Sequence, residues 1–308
     1  MQLVRHLPAR FDADRGSAVA IGNFDGIHRG HQALIAEAVR HAPALRPVVL
    51  CFEPLPATLF RPERPVPRVM KLRDRLRVCE QLGVKTLAPL RFDRAFSEQS
   101  PETFVRRVLV DGLRARHVIV GADFRFGHRA AGDVVRLRAL GAEHGFEVTT
   151  VNEVRDEHGR ISSTRLRQAL SAGELDHAES LLGRPYAISG RVIRGNQLGR
   201  TLGFATANLR VAEPPALSGI LAARISGAGL DKHPAVVSLG RRPTVAGRDW
   251  LLEAHLFDFS GNLYGRHLTV EFAGFIRHEA HFDSLQEMTA AMHGDARRAR
   301  AILAGVAV

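Results

Sequence analysis

Apolar positions in the first half of the chain fall into short continuous runs separated by stretches of helical spacing. Residues 18–21 (AVAI), 47–52 (PVVLCF), 86–92, 117–121 (HVIVG) and 146–151 predict strands. Residues 30–41, 72–82, 101–110 and 133–144 predict the helices between them, the second stopped by Gly83 and the third opened by Pro101. Strand and helix alternating in this way give a mostly parallel sheet covered by helices. Right-handed crossovers then place ligands at the carboxyl ends of the strands.

Residues 162–172 and 174–182 predict two short helices, and beyond Gly183 the pattern changes. Six short runs follow (YAISGRVI, FATANLRV, GILAARI, AVVSLG, LLEAHLFDF and HLTVEFAGFI), with Gly and Pro between them. Such a series predicts a mostly antiparallel β domain. Residues 284–304 predict a closing helix. The expectation is therefore an α/β domain over residues 1–182 and a β domain over 183–308. A length of 308 residues agrees with two domains. There is no internal repeat and no low-complexity segment.

Composition changes this picture only in part. Hydrophobic residues make up 45% of the chain, which excludes a disordered one. Lys plus Arg is 43 against 32 for Asp plus Glu, a net charge of +11, and only Lys71, Lys85 and Lys232 are lysines. Such a charge invites nucleic acid. The arginines are scattered, however, and two Tyr and one Trp offer few stacking surfaces. Positive charge equally suits an enzyme that handles polyanionic nucleotides. The first sixteen residues carry no apolar core of a secretory signal, and no run approaches the ~18 apolar residues of a membrane span. Cys51 and Cys79 form neither a disulfide framework nor a metal motif, which predicts two thiols in a reducing cytoplasm.

Candidate chemistry is densest at Gly22-Asn23-Phe24-Asp25-Gly26-Ile27-His28-Arg29-Gly30-His31, between the first strand and the first helix. Gly22, Gly26 and Gly30 let backbone N–H groups approach a ligand, and a helix N-terminus adds partial positive charge. His28 and His31, three apart, can face one anion. The chemistry this suits is displacement at phosphorus, carried by positioning and electrostatic stabilisation without a covalent intermediate. The competing reading is a turn with two solvated histidines.

Other positions admit two readings from their residues alone. Ser162-Ser163-Thr164-Arg165 can cap a helix or bind phosphate. Asp123, at the end of a strand, can cap a turn or line a pocket. Residues 195–203 (GNQLGRTLG) form a Gly-containing loop carrying Arg200, and the chain has no GxxxxGK[ST]. Thr206 and Asn208 share a strand face, and two such oxygens suit Mg²⁺, although spacing alone favours an ordinary polar face. Glu253 is either a surface carboxylate or a proton acceptor facing a cleft.

The ordered set of motifs resembles one family throughout. The Gly22–His31 stretch looks like the nucleotidylyltransferase signature, in the form found in bacterial bifunctional riboflavin kinase/FAD synthetases. Phe52-Glu53-Pro54, the stretch from Val120 to Gly127 (VGADFRFG) and Ile161-Ser162-Ser163-Thr164-Arg165 resemble the adenylyltransferase module. Leu182-Gly183-Arg184-Pro185-Tyr186 resembles the join between modules. The stretch from Gly199 to Asn208 (GRTLGFATAN), Gly240-Arg241-Arg242-Pro243-Thr244 and the stretch from Glu253 to Phe259 resemble the kinase module.

The resemblance implies a Rossmann-like nucleotidylyltransferase domain followed by a β-barrel kinase domain. Riboflavin would be phosphorylated to FMN, and FMN adenylylated to FAD with release of pyrophosphate. His28, His31 and Glu253 would be catalytic, Glu253 as the base toward the ribityl hydroxyl. Gly22, Asn23, Phe24, Asp25, Gly30, Asp123, Ser162, Ser163, Thr164, Arg165, Gly195, Arg200 and Gly203 would serve nucleotide or flavin. Thr206 and Asn208 would hold Mg²⁺ with ATP. The chain departs from the family pattern at Leu55, Ala130, Ala205 and Leu221. The rival expectations are that only one module is active, or that the chain is a basic nucleic-acid binder on a nucleotidylyltransferase scaffold.

Overall fold

The computed structural model describes residues 1–7, 15–195, 204–244 and 247–306. The chain forms two compact units. One comprises Met1–Val66 and Leu72–Ser163, the other Pro67–Lys71 and Thr164–Val308.

The first unit is built on six parallel strands: β1 Gln2–Leu3, β2 Ser17–Ile21, β3 Arg46–Glu53, β4 Thr86–Arg91, β5 Ala115–Gly121 and β6 Glu147–Val151. Their order across the sheet is β1-β4-β3-β2-β5-β6. All five residues of β2 are buried, as expected of a central strand covered on both faces. Helix α1 (Arg29–Arg40) buries Leu34, Ile35 and Ala38, the three- and four-residue spacing of one helical stripe. Helices α2 (Pro56–Phe60), α3 (Leu72–Gln81), α4 (Arg94–Ser97), α5 (Pro101–Phe104) and α6 (Val134–His144) complete the layers, and α5 runs on into a wider π-helical segment over Val105–Val110. The main core joins Val19, Ile21, Val48, Leu50, Val118 and Val120 of the strands to Phe104, Leu109, Leu137 and Leu140 of these helices. A two-stranded hairpin, β7 Arg155–Asp156 and β8 Gly159–Arg160, follows the sheet.

The chain runs from β2 through α1 to β3 on one side, whereas β5 lies on the other. The loops leaving β2 and β5 therefore diverge, and a crevice opens between their carboxyl ends. This switch point is where open α/β sheets bind ligands.

The second unit holds α7 from Thr164 onward (Ser163–Ala172), α8 (Leu175–Leu182) and six antiparallel strands. These are β9 Ala187–Ile193, β10 Ala207–Val211, β11 Gly219–Gly227, β12 Leu230–Thr244, β13 Gly247–Leu256 and β14 His267–Arg277. They form a closed barrel in the order β10-β13-β12-β11-β14-β9, sealed by the pairing of β9 with β10. Closure leaves no unpaired sheet edge. Leu209, Val237, Leu239, Leu252 and Ala254 face inward and are buried. Helix α9 (Leu285–Leu303) lies on the outer surface, where Ala296 and Ala299 pack against Phe204, Ala222, Val236 and Phe257. Each of the six apolar runs beyond Gly183 supplies one barrel strand.

Candidate functional site

The loop after β2 is shaped by backbone that few side chains adopt. Phe24 has φ +50° and Ile27 φ +45°, both non-glycine residues in the left-handed region, with Gly26 at +90° between them. Strain of this kind persists only where the surroundings enforce it, and it concentrates at functional sites. Phe24, Asp25 and Ile27 are fully buried, and the Gln32 amide donates to the Ile27 carbonyl at 2.9 Å. Burial and this hydrogen bond hold the loop in place.

His28 is the N-cap of α1, and its Nδ1 accepts the His31 backbone N–H at 3.3 Å. A ring whose Nδ1 accepts carries its proton on Nε2, which can then donate to a ligand oxygen. The His28 and His31 rings stack with centroids 3.8 Å apart, and Phe24 lies 5.0 Å from His31. A Cβ at Gly30 would press on the His28 ring at 3.2 Å, so glycine there leaves His28 its place. The α1 N-terminus thus presents two imidazoles, backbone N–H groups and the positive end of a helix dipole to one point.

Beneath this loop lies Arg75 of α3, fully buried, with Nη1 2.8 Å from Glu53 Oε1 and 3.3 Å from Cys51 Sγ. Burial works against its charge, but Cys51, Glu53 and Asp25 outweigh that, and its pKa is raised. Sequence reasoning missed Arg75. Its signal is an arginine on the buried face of α3, beside Asp74, Val78 and Cys79. Cys51 and Cys79 are both free and buried.

Of the remaining expected positions, Ser163 Oγ donates to the Asp25 carbonyl at 3.3 Å, which joins it to the β2 loop. Ser162 is half-buried beside it. Thr164 and Arg165 belong to the second unit, where Arg165 Nη2 lies 3.1 Å from His177 Nε2. Asp123 follows β5 at the other side of the crevice. Its hydrogen bond from Arg160, 2.7 Å between the charged atoms, holds its carboxyl below the usual carboxylate range. Arg160 also reaches Glu153 at 3.0 Å, so Asp123 is clasped from the β7–β8 hairpin.

An aromatic cavity of about 500 Å³ adjoins Gly22 and Asn23, within the range of small-ligand pockets. Phe52, Phe60, Phe92 and Phe96 line one part of it, and Phe104, Phe124 and Phe126 another. Phe124 and Phe126 stack at 5.5 Å, while Phe92 stands edge-on to Phe52 at 5.6 Å. Arg125, Arg129 and Ala130 also line it, the last two with φ +52° and +57°. An apolar slot beside the β2 loop can seat a fused aromatic ring. Sequence reasoning missed this cavity. Only the excess of Phe, 16 against two Tyr and one Trp, hinted at it.

The barrel carries a second constellation on its outer face. Asn208 of β10 and Ser238 of β12 both stand opposite Glu253 of β13. Directly opposed residues in an antiparallel pair share a face, so the three form one row. Asn208 is buried, and its Oδ1 has no hydrogen-bond donor among the described residues. Gly195, just after β9, lies against the Asn208 amide, where a Cβ would come within 2.5 Å. Thr206 is half-buried and precedes β10. Its segment is held by His255, whose Nδ1 lies 3.0 Å from the Ala205 carbonyl. Arg200 and Gly203 lie outside the described residues.

Two candidate sites thus lie on two unrelated scaffolds, one in each unit. Residues 11–165 match the FAD synthetase family, and residues 182–303 the riboflavin kinase family. The bifunctional riboflavin kinase/FMN adenylyltransferase of Escherichia coli K12 is 42% identical over 97% of each chain. Those of Haemophilus influenzae and Pseudomonas fluorescens are 38% and 41% identical, covering 98% and 99% of this chain and 99% and 98% of theirs. A solved structure described as a macrolide-efflux protein from Streptococcus pneumoniae is 29% identical, with TM-score 0.80 over 97% of this chain and 99% of that one. This chain belongs to the bifunctional riboflavin kinase/FMN adenylyltransferase family. It phosphorylates riboflavin to FMN and adenylylates FMN to FAD, with ATP as donor in both reactions. Among the described residues no helix is long and apolar enough to cross a membrane.

Proposed function

We propose that the β2 loop and the aromatic cavity form the adenylyltransferase site, and that the Asn208–Glu253 row forms the kinase site. The observation that carries the first assignment is the stacked His28–His31 pair at the N-terminus of α1, next to an aromatic slot. The ATP α-phosphate lies over Gly26 to Gly30, where His28 Nε2–H and His31 donate to its non-bridging oxygens. The flavin ring occupies the phenylalanine cavity. An oxygen of the FMN phosphate attacks the α-phosphorus in line, and the bond to the bridging oxygen breaks to release pyrophosphate. The two histidines stabilise charge that grows on the α-phosphate during this exchange. Gly22, Asn23, Phe24 and Asp25 shape the loop, and Ser162, Ser163 and Asp123 flank it. The roles of Thr164 and Arg165 toward the leaving pyrophosphate rest on the resemblance alone.

In the kinase site Glu253 accepts the proton of the riboflavin terminal hydroxyl as its oxygen attacks the ATP γ-phosphorus. The bond to the β–γ bridging oxygen breaks, and ADP leaves. Asn208 Oδ1, buried without a donor among the described residues, fits a hard cation. Mg²⁺ held by Asn208 and Thr206 would neutralise phosphate charge. Gly195 keeps backbone close to Asn208, and the roles of Arg200 and Gly203 rest on the resemblance alone. We place the join between modules at Leu182/Gly183, where α8 ends on Gly183 at φ +69°. Two buried thiols suit a reducing cytoplasm. Incubation with riboflavin, ATP and Mg²⁺, with separation of riboflavin, FMN and FAD over time, tests the assignment in the His28→Ala/His31→Ala and Glu253→Gln variants.

A further inference from the structure

Along the outer face of β12, alternate residues meet different parts of the second unit. Val236 packs in the cluster beneath α9, and Ser238 stands opposite Glu253. The next position on that face is Gly240. The β12–β13 register runs without a bulge from Ala235↔Leu256 to Thr244↔Gly247, so Gly240 points the same way as Ser238. A Cβ built on Gly240 would overlap the Glu279 carboxylate. Glycine at this position makes room for a carboxylate delivered by the segment between β14 and α9.

That segment is anchored at its start. Arg277, the last residue of β14, grips Asp295 of α9 through two nitrogens at 2.9 and 2.6 Å. Its Nη1 also donates to the His278 carbonyl at 3.0 Å, immediately before Glu279. Two residues of strand span about 6.8 Å, so the Glu279 head lies about one pleat repeat from the row of Ser238, Glu253 and Asn208.

We propose that Glu279 is a second carboxylate of the kinase site, which accepts hydrogen bonds from the polyol hydroxyls of the acceptor and aims its terminal hydroxyl at Glu253. The inference rests on the reading of Glu253 as the base. A flexible polyol gripped at one end only would sample many conformers. An anchor one pleat repeat from the base holds the chain extended, so that the attacking oxygen meets phosphorus near the ~3–3.5 Å of a productive encounter. A carboxylate suits this task because it only accepts, and several hydroxyls can donate to it at once.

Steady-state kinetics of full-length Glu279→Ala, Glu279→Gln and Gly240→Ala test the proposal. Lumiflavin, the same ring with a methyl in place of the polyol, serves as a competitive probe. Glu279 is exposed, so its truncation removes no core contact. Loss of hydrogen bonds to a charged acceptor should raise the riboflavin KM of Glu279→Ala about 10- to 100-fold. The KM for ATP and the affinity for lumiflavin should stay in place. Glu279→Gln keeps an oxygen acceptor and should recover part of the loss, and Gly240→Ala should reproduce it by displacing the carboxylate. An unchanged riboflavin KM in Glu279→Ala overturns the proposal, as does an equal loss of lumiflavin affinity or a change confined to ATP. Glu253→Gln, assayed alongside, separates the two levels. If it remains an active kinase, the reading of the site itself fails. If it is inactive while Glu279→Ala behaves as wild type, only the role of Glu279 fails.

Discussion

Phe60 lines the aromatic cavity yet is 66% exposed, and among the described residues its one ring neighbour is Phe92, edge-on at 6.1 Å. Truncating a fully buried Phe to Ala costs about 3–5 kcal/mol. With two-thirds of its surface already in water, Phe60→Ala should cost the free protein only about a third of that, ~1–1.7 kcal/mol. Toward a bound aromatic ring the balance reverses. Ring stacking contributes about 1–3 kcal/mol, which converts to roughly 5- to 150-fold in affinity. Phe60→Ala should therefore raise the KM for FMN in FAD formation by that factor, with a small change in thermal stability and no change in riboflavin phosphorylation. Phe104 supplies the contrast. It lines the same cavity but is 4% exposed and sits in the main core, so Phe104→Ala should lose the full ~3–5 kcal/mol of stability. Initial rates against FMN concentration, with melting curves for both variants, measure these effects. A Phe60→Ala enzyme with the wild-type KM for FMN would refute the placement of the flavin ring in this cavity.

Gly30→Ala should lower FAD formation about 10- to 100-fold, because a Cβ pressing on His28 displaces the donor; FMN formation in the same preparation should be untouched. Asn208→Ala removes the buried Oδ1, so FMN formation should need more Mg²⁺ for half-maximal rate, whereas an unaltered Mg²⁺ titration would exclude Asn208 as a cation ligand. His117 is held below the ordinary imidazole value of 6.5 by burial and by His41, against the pull of Glu147 and Glu37. Its folded pKa lies below its unfolded one, so the unfolded chain binds the proton more readily. The stability this group supports is complete above the ordinary value and falls as pH drops through it. Urea midpoints between about pH 7 and pH 5 should fall less steeply in His117→Gln than in wild type.

The parallel sheet was legible because its central strands are buried on both faces. Runs such as AVAI and HVIVG then stand out as continuous apolar stretches bounded by Gly or charge. The β7–β8 hairpin was not, since three charged residues and a glycine, held by an Asp156 turn, give no hydrophobic period. The two-residue β1 and the short helices α2 and α4 were equally silent. The motif loop could be read locally, because its glycines, histidines and following helix are contiguous. The aromatic cavity could not, because its phenylalanines come from segments spread over residues 52–126. Glu253 alternates with buried Leu252 and Ala254 like any outward strand residue. Only the β10–β13 register, across 45 residues of sequence from Asn208, places it beside a buried oxygen that has no donor among the described residues.

The most direct test of two sites on two scaffolds is a product analysis of two variants. His28→Ala/His31→Ala should convert riboflavin to FMN and stop there, since each lost donor to the α-phosphate costs about 10²–10³ in rate. Glu253→Gln should leave riboflavin untouched, about 10²–10⁴-fold slowed, yet convert supplied FMN to FAD. Folded Glu253→Gln protein that phosphorylates riboflavin near the wild-type rate, or His28→Ala/His31→Ala protein that still makes FAD, would contradict the account.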